Sequence, residues 1–279
     1  MPTTAEKRAQ FRRLHESGCF LIPNPWDMGS ARYLEDMGFK ALATTSAGFA
    51  WSRGAADGEV TRGAALAHFA ELAAAVDVPL NADFERGFAD APEDIAESVR
   101  LCVETGVAGL SIEDFTGDPA NPLYDLGLAA ARIRAARAAI DEAGGDVLLT
   151  GRSEGFIRGR PDLDETIRRL SAYAEAGADC LYAPGVTTRD QIAAIVRAVA
   201  PKPVNLLMGA PSGLAVQDCA DLGVRRISVG GSLARTAWGG FIRAARRIMD
   251  EGSFDGLADA APSAELNRVF AARRGERQS

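Results

Sequence analysis

Acidic side chains stand at the ends of several apolar, strand-like runs of the sequence. Asp83 and Glu85 end one run two residues apart, so they point the same way while the backbone stays extended. Glu113 ends the next run, and Asp57 lies in the loop after an earlier one. Converging carboxylates repel one another unless a cation lies among them. Hard oxygen ligands without histidine favour Mg2+ or Mn2+, so we predict a metal site on Asp83, Glu85 and Glu113.

Several of these polar residues also have an ordinary structural interpretation. An isolated acid at a strand end is more often a helix N-cap or a solvated loop residue than a site residue. For Asp114 and Glu154 the structural role and the site role both stay open. Arg152 either binds an anion or forms an ion pair with Glu154 at a rim. Asn205, inside an apolar run, is either a site residue or a core amide with satisfied hydrogen bonds.

The histidines and cysteines exclude other chemistry. His15 and His68 are the only two histidines, and both fall in predicted helices, so serine–histidine and cysteine–histidine catalysis are excluded. The four cysteines are far apart and form no CxxC pair, so zinc-ligand spacing is absent.

The overall composition is that of an ordinary soluble protein. The net charge is −7 and the pI is near 5.1, which argues against nucleic acid or an anionic membrane as a partner. No apolar run approaches the roughly 18 residues of a membrane span, and the N-terminal segment lacks the apolar core of a secretion signal. We therefore expect a cytoplasmic protein.

Eight strand-like runs alternate with helical patterns along the chain. Most runs are short and continuously apolar, as strands covered on both faces should be. Four of them are preceded by a helix end and a glycine, which predicts left-handed C-caps at Gly38, Gly106, Gly177 and Gly223. We predict a single (β/α)8-barrel domain over residues 1–279, with the barrel at about 18–250 and a C-terminal helical extension at about 251–270. The predicted strands are Phe20–Trp26, Ala41–Ser46, Val78–Asp83, Gly109–Asp114, Val147–Arg152, Cys180–Pro184, Pro203–Met208 and Arg226–Gly230.

In such a barrel the functional face is formed by the carboxyl ends of the strands. Three segments there match a known set of motifs. Residues 83–88, Asp-Phe-Glu-Arg-Gly-Phe, resemble an Asp-x-Asp-x-Gly-aromatic metal motif with glutamate in place of the second aspartate. Residues 109–114 resemble the next signature, and residues 151–156 are similar to an Ala-Arg-x-Glu-Ala-Phe segment. Together these motifs resemble those of the isocitrate lyase/phosphoenolpyruvate mutase superfamily.

The resemblance implies a role for each matching residue. Asp83 is the expected nearest metal ligand, with Glu85, Glu113 and Asp57 directing the metal's waters. Arg152 is expected to bind the substrate carboxylate. The backbone around Thr45, Ser46, Ala47 and Gly48 would form an oxyanion site. The expected catalytic residues are Arg152, Asp57, Glu113 and Asn121, and the expected substrate-binding residues are Thr45, Ser46, Ala47, Gly48, Arg152 and Asn205.

The chain departs from the superfamily pattern at two places. Residues 115–122 lack the cysteine, lysine and histidine of the isocitrate lyase loop, which argues against a retro-aldol lyase of that type. Residues 183–185 are Ala-Pro-Gly where phosphoenolpyruvate mutase has a histidine, which argues against a mutase. The segment 115–125, rich in Gly, Pro and Asn, is expected to act as a lid that excludes water.

Enolate chemistry fits the residues that remain. We predict a Mg2+-dependent carbon–carbon lyase that acts on a small 2-oxo dicarboxylate through a metal-bound enolate, with oxaloacetate decarboxylation favoured. The alternatives are C–P hydrolysis of a phosphonopyruvate, for which Arg158 and Arg160 are the nearby cations, and a barrel that binds 2-oxo acids without turnover. The resemblance also implies a homotetramer, a dimer of dimers in which C-terminal helices are swapped between subunits.

Overall fold

Eight parallel strands form one sheet that curls into a nearly closed barrel. The computed structural model describes the backbone of residues 1–276 and the side chains of residues 1–271; residues 277–279 of the predicted domain lie outside the described residues. Neighbouring strands follow the order β1-β8-β7-β6-β5-β4-β3-β2. The strands are β1 Phe20–Ile22, β2 Leu42–Ala43, β3 Leu80–Asp83, β4 Gly109–Glu113, β5 Leu148–Arg152, β6 Cys180–Tyr182, β7 Val204–Leu207 and β8 Arg226–Ser228.

Two hydrogen bonds join the first two strands, which share no ladder. The backbone N–H of Ala43 donates to the carbonyl of Pro23 at 3.1 Å, and the side-chain amide of Asn24 donates to the carbonyl of Thr44 at 2.9 Å. The predicted barrel is thereby confirmed, with all eight strands in the expected order.

Helices connect the strands on the outside. The four predicted glycine C-caps are confirmed, because Gly38, Gly106, Gly177 and Gly223 all have φ between +86° and +103°. The helices are α1 Thr4–Glu16, α2 Met28–Asp36, α3 Ser46–Ser52, α4 Arg62–Ala75, α5 Pro92–Glu104, α6 Leu126–Glu142, α7 Leu163–Glu175, α8 Arg189–Val199, α9 Val216–Asp221, α10 Ser232–Glu251 and α11 Ser263–Glu276.

Two helical segments differ from the prediction. The segment after β2, expected to lead into a loop, begins helix α3 at Ser46 because the Thr45 hydroxyl caps it by accepting from the Gly48 N–H at 3.3 Å. The extension at about 251–270, expected to be helical, contains a short 3-10 turn, Asp255–Leu257, and the first part of α11, with a break between them. Pro262 has no N–H to continue a helix, and its carbonyl accepts from Glu265 as the new helix starts.

Helix α1 closes the bottom of the barrel, at the amino ends of the strands. Phe11 is fully buried in a small apolar cluster with Ile22, Ala43 and Leu148 from three strands. Lys7 and Arg8, on the same helix, donate to backbone carbonyls at the ends of α4 and α5, including Ala73 at 2.8 Å and Val103 at 2.8 Å. These bonds satisfy carbonyl groups that a helix end leaves without intrahelical partners.

Helix α10 turns a row of large apolar side chains outward. Trp238, Phe241 and Ile242 are exposed, and the Trp238 and Phe241 rings contact each other edge to face. Over the described ranges, none of the helices combines the length and the apolar composition needed to cross a bilayer.

Candidate active site

A cavity of about 160 Å3 opens at the carboxyl ends of the strands. This is the face where the barrel architecture places functional residues. All eight strands or their following loops contribute carboxylate, guanidinium, amide or hydroxyl groups to its lining, beside several apolar side chains. The lining comprises Ile22, Asn24, Ala43, Thr44, Thr45, Ser46, Ala47, Asp57, Asn81, Asp83, Ser111, Arg152, Tyr182, Asn205, Leu207, Arg226, Ser228, Gly230 and Gly231.

Asp83 is the acid held most firmly at this cavity. Its Oδ2 accepts from the Ser46 N–H at 3.0 Å and its Oδ1 accepts from Arg152 Nη1 at 3.1 Å. The Asp83 N–H donates to the Thr44 hydroxyl at 2.8 Å, which fixes the end of β3 against β2. The carboxylate is therefore oriented by one backbone donor and one guanidinium before any ligand arrives.

Arg152 lies at the centre of the acidic cluster. Its Nη1 is 3.2 Å from Glu113 Oε2 and its Nε is 2.6 Å from Glu154 Oε1, while the guanidinium lies over the Tyr182 ring at 5.2 Å. Burial works to lower the pKa of Arg152, but Glu113 and Glu154 outweigh it and hold that pKa well above its usual range. The side chain is therefore a permanent, positioned cation.

Three further acids have raised pKa values. Burial, then repulsion from Asp83 and Asp57, raises the pKa of Glu85 to about 7. Burial raises the pKa of Glu113 well above its usual range, with Arg152 opposing the shift. Desolvation at the cavity rim and the charge of Asp83 raise the pKa of Asp57, and a hydrogen bond from the Ser46 side chain counters this. Burial is the largest cause of all three shifts, and neighbouring carboxylates add to it.

The sequence expectation for Glu85 is only partly met. The backbone leaves the extended conformation after Asp83, and Glu85 has a left-handed φ of 49°. Glu85 is absent from the lining of the cavity, although the charges of Asp83 and Asp57 still reach it. Its carbonyl accepts from the Glu113 N–H at 3.0 Å, which ties the two acids' backbones together instead.

The donor set fits a hard cation that retains waters. Three carboxylates, on Asp83, Glu113 and Glu154, contact Arg152, and two more, on Asp57 and Glu85, lie close enough to feel the charge of Asp83. No three His, Cys, Asp or Glu side chains within the described residues converge as a direct ligand set. Magnesium commonly binds through one or two carboxylates and several waters, so Asp83 can hold it directly while the other acids bind its waters.

Behind Arg152 lies a buried network of hydrogen bonds and ion pairs that the sequence did not predict. Asp114 is 2% exposed and Glu154 is 0% exposed, so neither is the N-cap or solvated loop residue that the sequence left open. Asp114 accepts from the Glu154 N–H at 2.8 Å and from the Tyr173 hydroxyl at 2.6 Å. Arg169 lies 3.2 Å from the same carboxylate. The network fixes the backbone of Glu154, which in turn holds Arg152.

Glu154 also connects the site to the predicted lid. Its second carboxylate oxygen accepts from Arg158 Nε at 2.9 Å, and the Arg158 guanidinium lies 3.6 Å from the centroid of the Phe115 ring. Phe115 pairs with Leu123 in an isolated antiparallel bridge, so the two ends of the lid segment meet.

The other predicted substrate-binding residues fall into two groups. Thr45, Ser46 and Ala47 line the cavity, whereas Gly48 is buried behind them and a side chain there would contact Trp26 and Thr45. Asn205 lines the cavity and is also fully bonded, because it donates to Ser228 at 3.0 Å and accepts from Arg226 at 2.8 Å. Both sequence interpretations of Asn205 are therefore compatible with its position.

Asn121 is not brought to this cavity. Its side chain is exposed in the lid segment and lines a separate cavity beside Ser153 and Arg160. A role for Asn121 in the reaction would require movement of the segment.

The polar cavity floor was missed at the sequence level. Asn81 and Thr150 each lie two residues before a predicted site residue on the same strand, and Arg226 and Ser228 alternate in the same way on β8. The signal was available, because side chains two apart on a strand face the same side.

The fold and the acidic, arginine-centred cavity define a (β/α)8-barrel enzyme of the metal-dependent lyase and mutase class. The family model described as phosphoenolpyruvate phosphomutase matches residues 11–249, and the chain belongs to this family, within the isocitrate lyase/phosphoenolpyruvate mutase superfamily.

Relatives in several organisms share most of the chain. An uncharacterized Mycobacterium tuberculosis protein is 36% identical over 259 residues, covering 92% of this chain and 94% of that protein. Oxaloacetate decarboxylase of Paraburkholderia xenovorans is 32% identical over 238 residues, covering 81% of this chain and 75% of the decarboxylase.

Solved structures are similar over nearly the whole chain. A Burkholderia cenocepacia protein provisionally assigned as a lyase/mutase has a TM-score of 0.93 and 49% identity, covering 96% of this chain and 97% of that one. A phosphonopyruvate hydrolase in complex with oxalate and Mg2+ has a TM-score of 0.83 and 26% identity, covering 99% of this chain and 97% of that one.

Proposed function

We propose that the protein is a Mg2+-dependent carbon–carbon lyase acting on a small 2-oxo dicarboxylate through an enolate, with oxaloacetate decarboxylation as the favoured reaction. The observation that carries the proposal is the position of Arg152, a guanidinium 15% exposed that lines the cavity within 3.2 Å of both Asp83 and Glu113. A 2-oxo acid presents a carboxylate to such a cation and adjacent oxygens to a cation held by Asp83.

The residues that would hold the metal are Asp83 directly and Glu85, Glu113 and Asp57 through waters. When bound, Mg2+ supplies Lewis acidity toward the 2-oxo and carboxylate oxygens of the substrate. The phosphonopyruvate hydrolase structure, which contains oxalate and Mg2+, supports the same choice of ion and ligand class here.

The chain's own groups would orient the substrate and stabilise the enolate. Arg152 would bind the carboxylate, and because Glu154 and Tyr182 already fix its guanidinium, little ordering is needed when the substrate arrives. The Ser46 N–H is engaged by Asp83 and the Gly48 N–H by Thr45, so the Ala47 backbone is the donor that remains for an anion at this turn. Closure of residues 115–125 would exclude water from the enolate.

The chemistry of the lid region favours decarboxylation over C–P hydrolysis. A phosphonate carries more negative charge than a carboxylate and needs additional cations near the lid. Arg158 is committed to Glu154 and lies over Phe115, and Arg160 is exposed. Loss of CO2 needs only enolate stabilisation and a late proton, which a site without histidine or cysteine can provide.

The test measures products by NMR with purified protein and Mg2+. Oxaloacetate, phosphonopyruvate and methylisocitrate are supplied separately, each with a matched EDTA sample. We expect metal-dependent pyruvate from oxaloacetate. Saturable, metal-dependent binding without any product would favour a protein that binds 2-oxo acids without turnover.

Replacing Asp83 with alanine should abolish both Mg2+ binding and turnover, because it removes an acid that two donors orient at the cavity. Asp94→Ala, at an exposed acid in the first turn of α5, is the matched control and should change neither. Turnover by Asp83→Ala close to that of the control would refute the assignment.

We also propose a cytoplasmic homo-oligomer, a dimer of dimers. The exposed Trp238 and Phe241 on α10 support an interface between copies of the chain, since large apolar side chains clustered on a surface commonly mark such a contact. The free thiols of Cys19, Cys102, Cys180 and Cys219 suit a reducing compartment.

A further inference from the structure

The cavity contains a second guanidinium, at its floor, and this one is buried. Arg226, the first residue of β8, is 3% exposed and lines the cavity. Its Nε donates to Asn205 Oδ1 at 2.8 Å, its Nη2 to Thr150 Oγ1 at 3.1 Å and its Nη1 to Asn81 Oδ1 at 3.5 Å. All of these acceptors are neutral, and no carboxylate is among the partners of Arg226 in the part of the chain that the structure describes.

His15, on helix α1, is a further neutral neighbour of Arg226. Its Nδ1 lies 2.8 Å from the Phe11 carbonyl, an acceptor, so Nδ1 carries the proton and the bare Nε2 faces Arg226 Nη1 at 3.4 Å. Burial and the charge of Arg226 lower the pKa of His15 to about 3, which keeps the imidazole neutral. His15 therefore accepts from Arg226 and adds no charge.

The contrast with other buried arginines shows what is unusual. Arg152 and Arg169 are paired with carboxylates. Arg132 also lacks an ion pair to a carboxylate, but it donates to three backbone carbonyls, lies 4.1 Å from the Tyr124 ring centroid and is not part of this cavity's lining. Of these four arginines, Arg226 is the one that lines this cavity and has only neutral hydrogen-bond partners. A desolvated cation of this kind gains most from an anionic ligand.

The spacing of the two cavity arginines suits a short dianion. Arg226 bonds Thr150, and Arg152 lies two residues further along β5 on the same face. Two residues of strand advance roughly 6–7 Å. The two carboxyl carbons of a four-carbon dicarboxylate are joined by three C–C bonds of roughly 1.5 Å each. With a hydrogen bond at each end, such a molecule spans the two guanidinium groups.

We propose that Arg226 binds the distal carboxylate of the substrate at the cavity floor, so that the protein selects short dicarboxylates over monocarboxylates. This inference rests on the proposed function, from which the position of the first carboxylate at Arg152 is taken. Asn205 and Thr150 position Arg226 by holding two of its nitrogens.

The proposal also predicts how Arg226 affects turnover of oxaloacetate. An ion pair to the carboxylate that leaves as CO2 is stronger in the ground state than in the transition state, where that charge disperses. Removing the pair should therefore raise KM without lowering kcat. A residue with a purely structural role would lower kcat and stability together.

The experiment compares two unreactive 2-hydroxy acids, malate and lactate, which differ in the distal carboxylate. Their dissociation constants are measured by calorimetry with saturating Mg2+ for the wild type, Arg226→Met and Arg226→Lys. Arg225→Met is the matched control, because Arg225 is the adjacent residue, faces the other side of β8 and donates to the Gly18 carbonyl.

We expect the wild type to prefer malate. Arg226→Met should weaken malate binding by about tenfold to a hundredfold, the loss typical of a hydrogen bond to a charged group, while lactate binding is unchanged. Arg226→Lys, which keeps the charge and provides a second folded variant, should lose less, and Arg225→Met should match the wild type. The proposal is overturned if the wild type shows no preference for malate, or if both ligands weaken equally in Arg226→Met and Arg226→Lys. Metal-dependent pyruvate formation is assayed separately, so preference without turnover would count against the proposed function alone.

Discussion

Glu85 offers a quantitative test of the electrostatics around the cavity. Its pKa is raised from 4.5 to about 7 by burial and by repulsion from Asp83 and Asp57. A shift of that size corresponds to about 3 kcal/mol. Because Glu85 stays partly accessible to solvent, we reduce the expected effect to about 2 kcal/mol.

The direction in which the free energy of unfolding changes with pH follows from proton binding. Between pH 4.5 and about 7 the folded protein retains a proton on Glu85 that the unfolded chain has lost. The free energy of unfolding contributed by this group therefore falls as pH rises through that window, and stays low above it. Glu85→Gln removes the titrating charge and keeps the shape of the side chain.

The assay is urea unfolding at pH 5 and pH 8 in EDTA. Glu85→Gln should be more stable than the wild type by about 2 kcal/mol at pH 8, and the difference should shrink toward pH 5. Glu97→Gln is the control, because Glu97 is exposed, is paired with Arg100 and has a lowered pKa, so no gain is expected there. Mg2+ should recover the loss in the wild type, since a bound cation favours the ionised carboxylate. Identical pH slopes for the wild type and Glu85→Gln would refute this account of the site.

Three further substitutions test the site, the network behind it and the surface. Arg152→Lys should lower kcat/KM for oxaloacetate by about tenfold to a hundredfold, because a lysine cannot reproduce the Nε and Nη1 contacts to Glu154 and Asp83; unchanged steady-state kinetics would contradict this. Tyr173→Phe should cost about 2 kcal/mol in urea unfolding, because it removes a buried hydrogen bond to Asp114, and a loss below about 0.5 kcal/mol would count against the network. Phe241→Asp should reduce the oligomer measured by light scattering, whereas an unaltered mass would exclude this face of α10 as an interface.

The strand pattern and the positions of the acids could be predicted from sequence because both depend on local periodicity. A short apolar run bounded by glycine predicts a buried strand, and an acid at its end predicts a place at the mouth of the barrel. The motif carrying Asp83 and the segment carrying Arg152 were therefore found, and both residues line the cavity.

The features of the site that the sequence did not predict depend on contacts between distant parts of the chain. The backbone at Glu85 is left-handed and the side chain is absent from the cavity lining, although its spacing from Asp83 suggested a shared direction. Glu154 and Asp114 form a buried network because Tyr173 and Arg169, on a later helix, reach them. Arg226 belongs to a strand with no acid at its end, so its alternation with Ser228 was the one local signal, and that alternation does not show that the shared face borders a cavity.

The attachment of α1 under the barrel has a consequence for the order of folding. Its residues bind groups that come much later in the chain: Arg8 donates to the carbonyls of Val103 and Val107 and to the carboxylate of Asp146. During synthesis, the first helix therefore has no complete docking surface until the fifth strand region has emerged. Strand β1 can pair with β8 only after Arg226–Ser228 has been synthesised. Contacts this distant in sequence slow folding because a long loop must close before they form. Helix α1 is thus made well before its partners and is one of the last elements to be fixed, which makes it the natural place to look for the slow step in refolding.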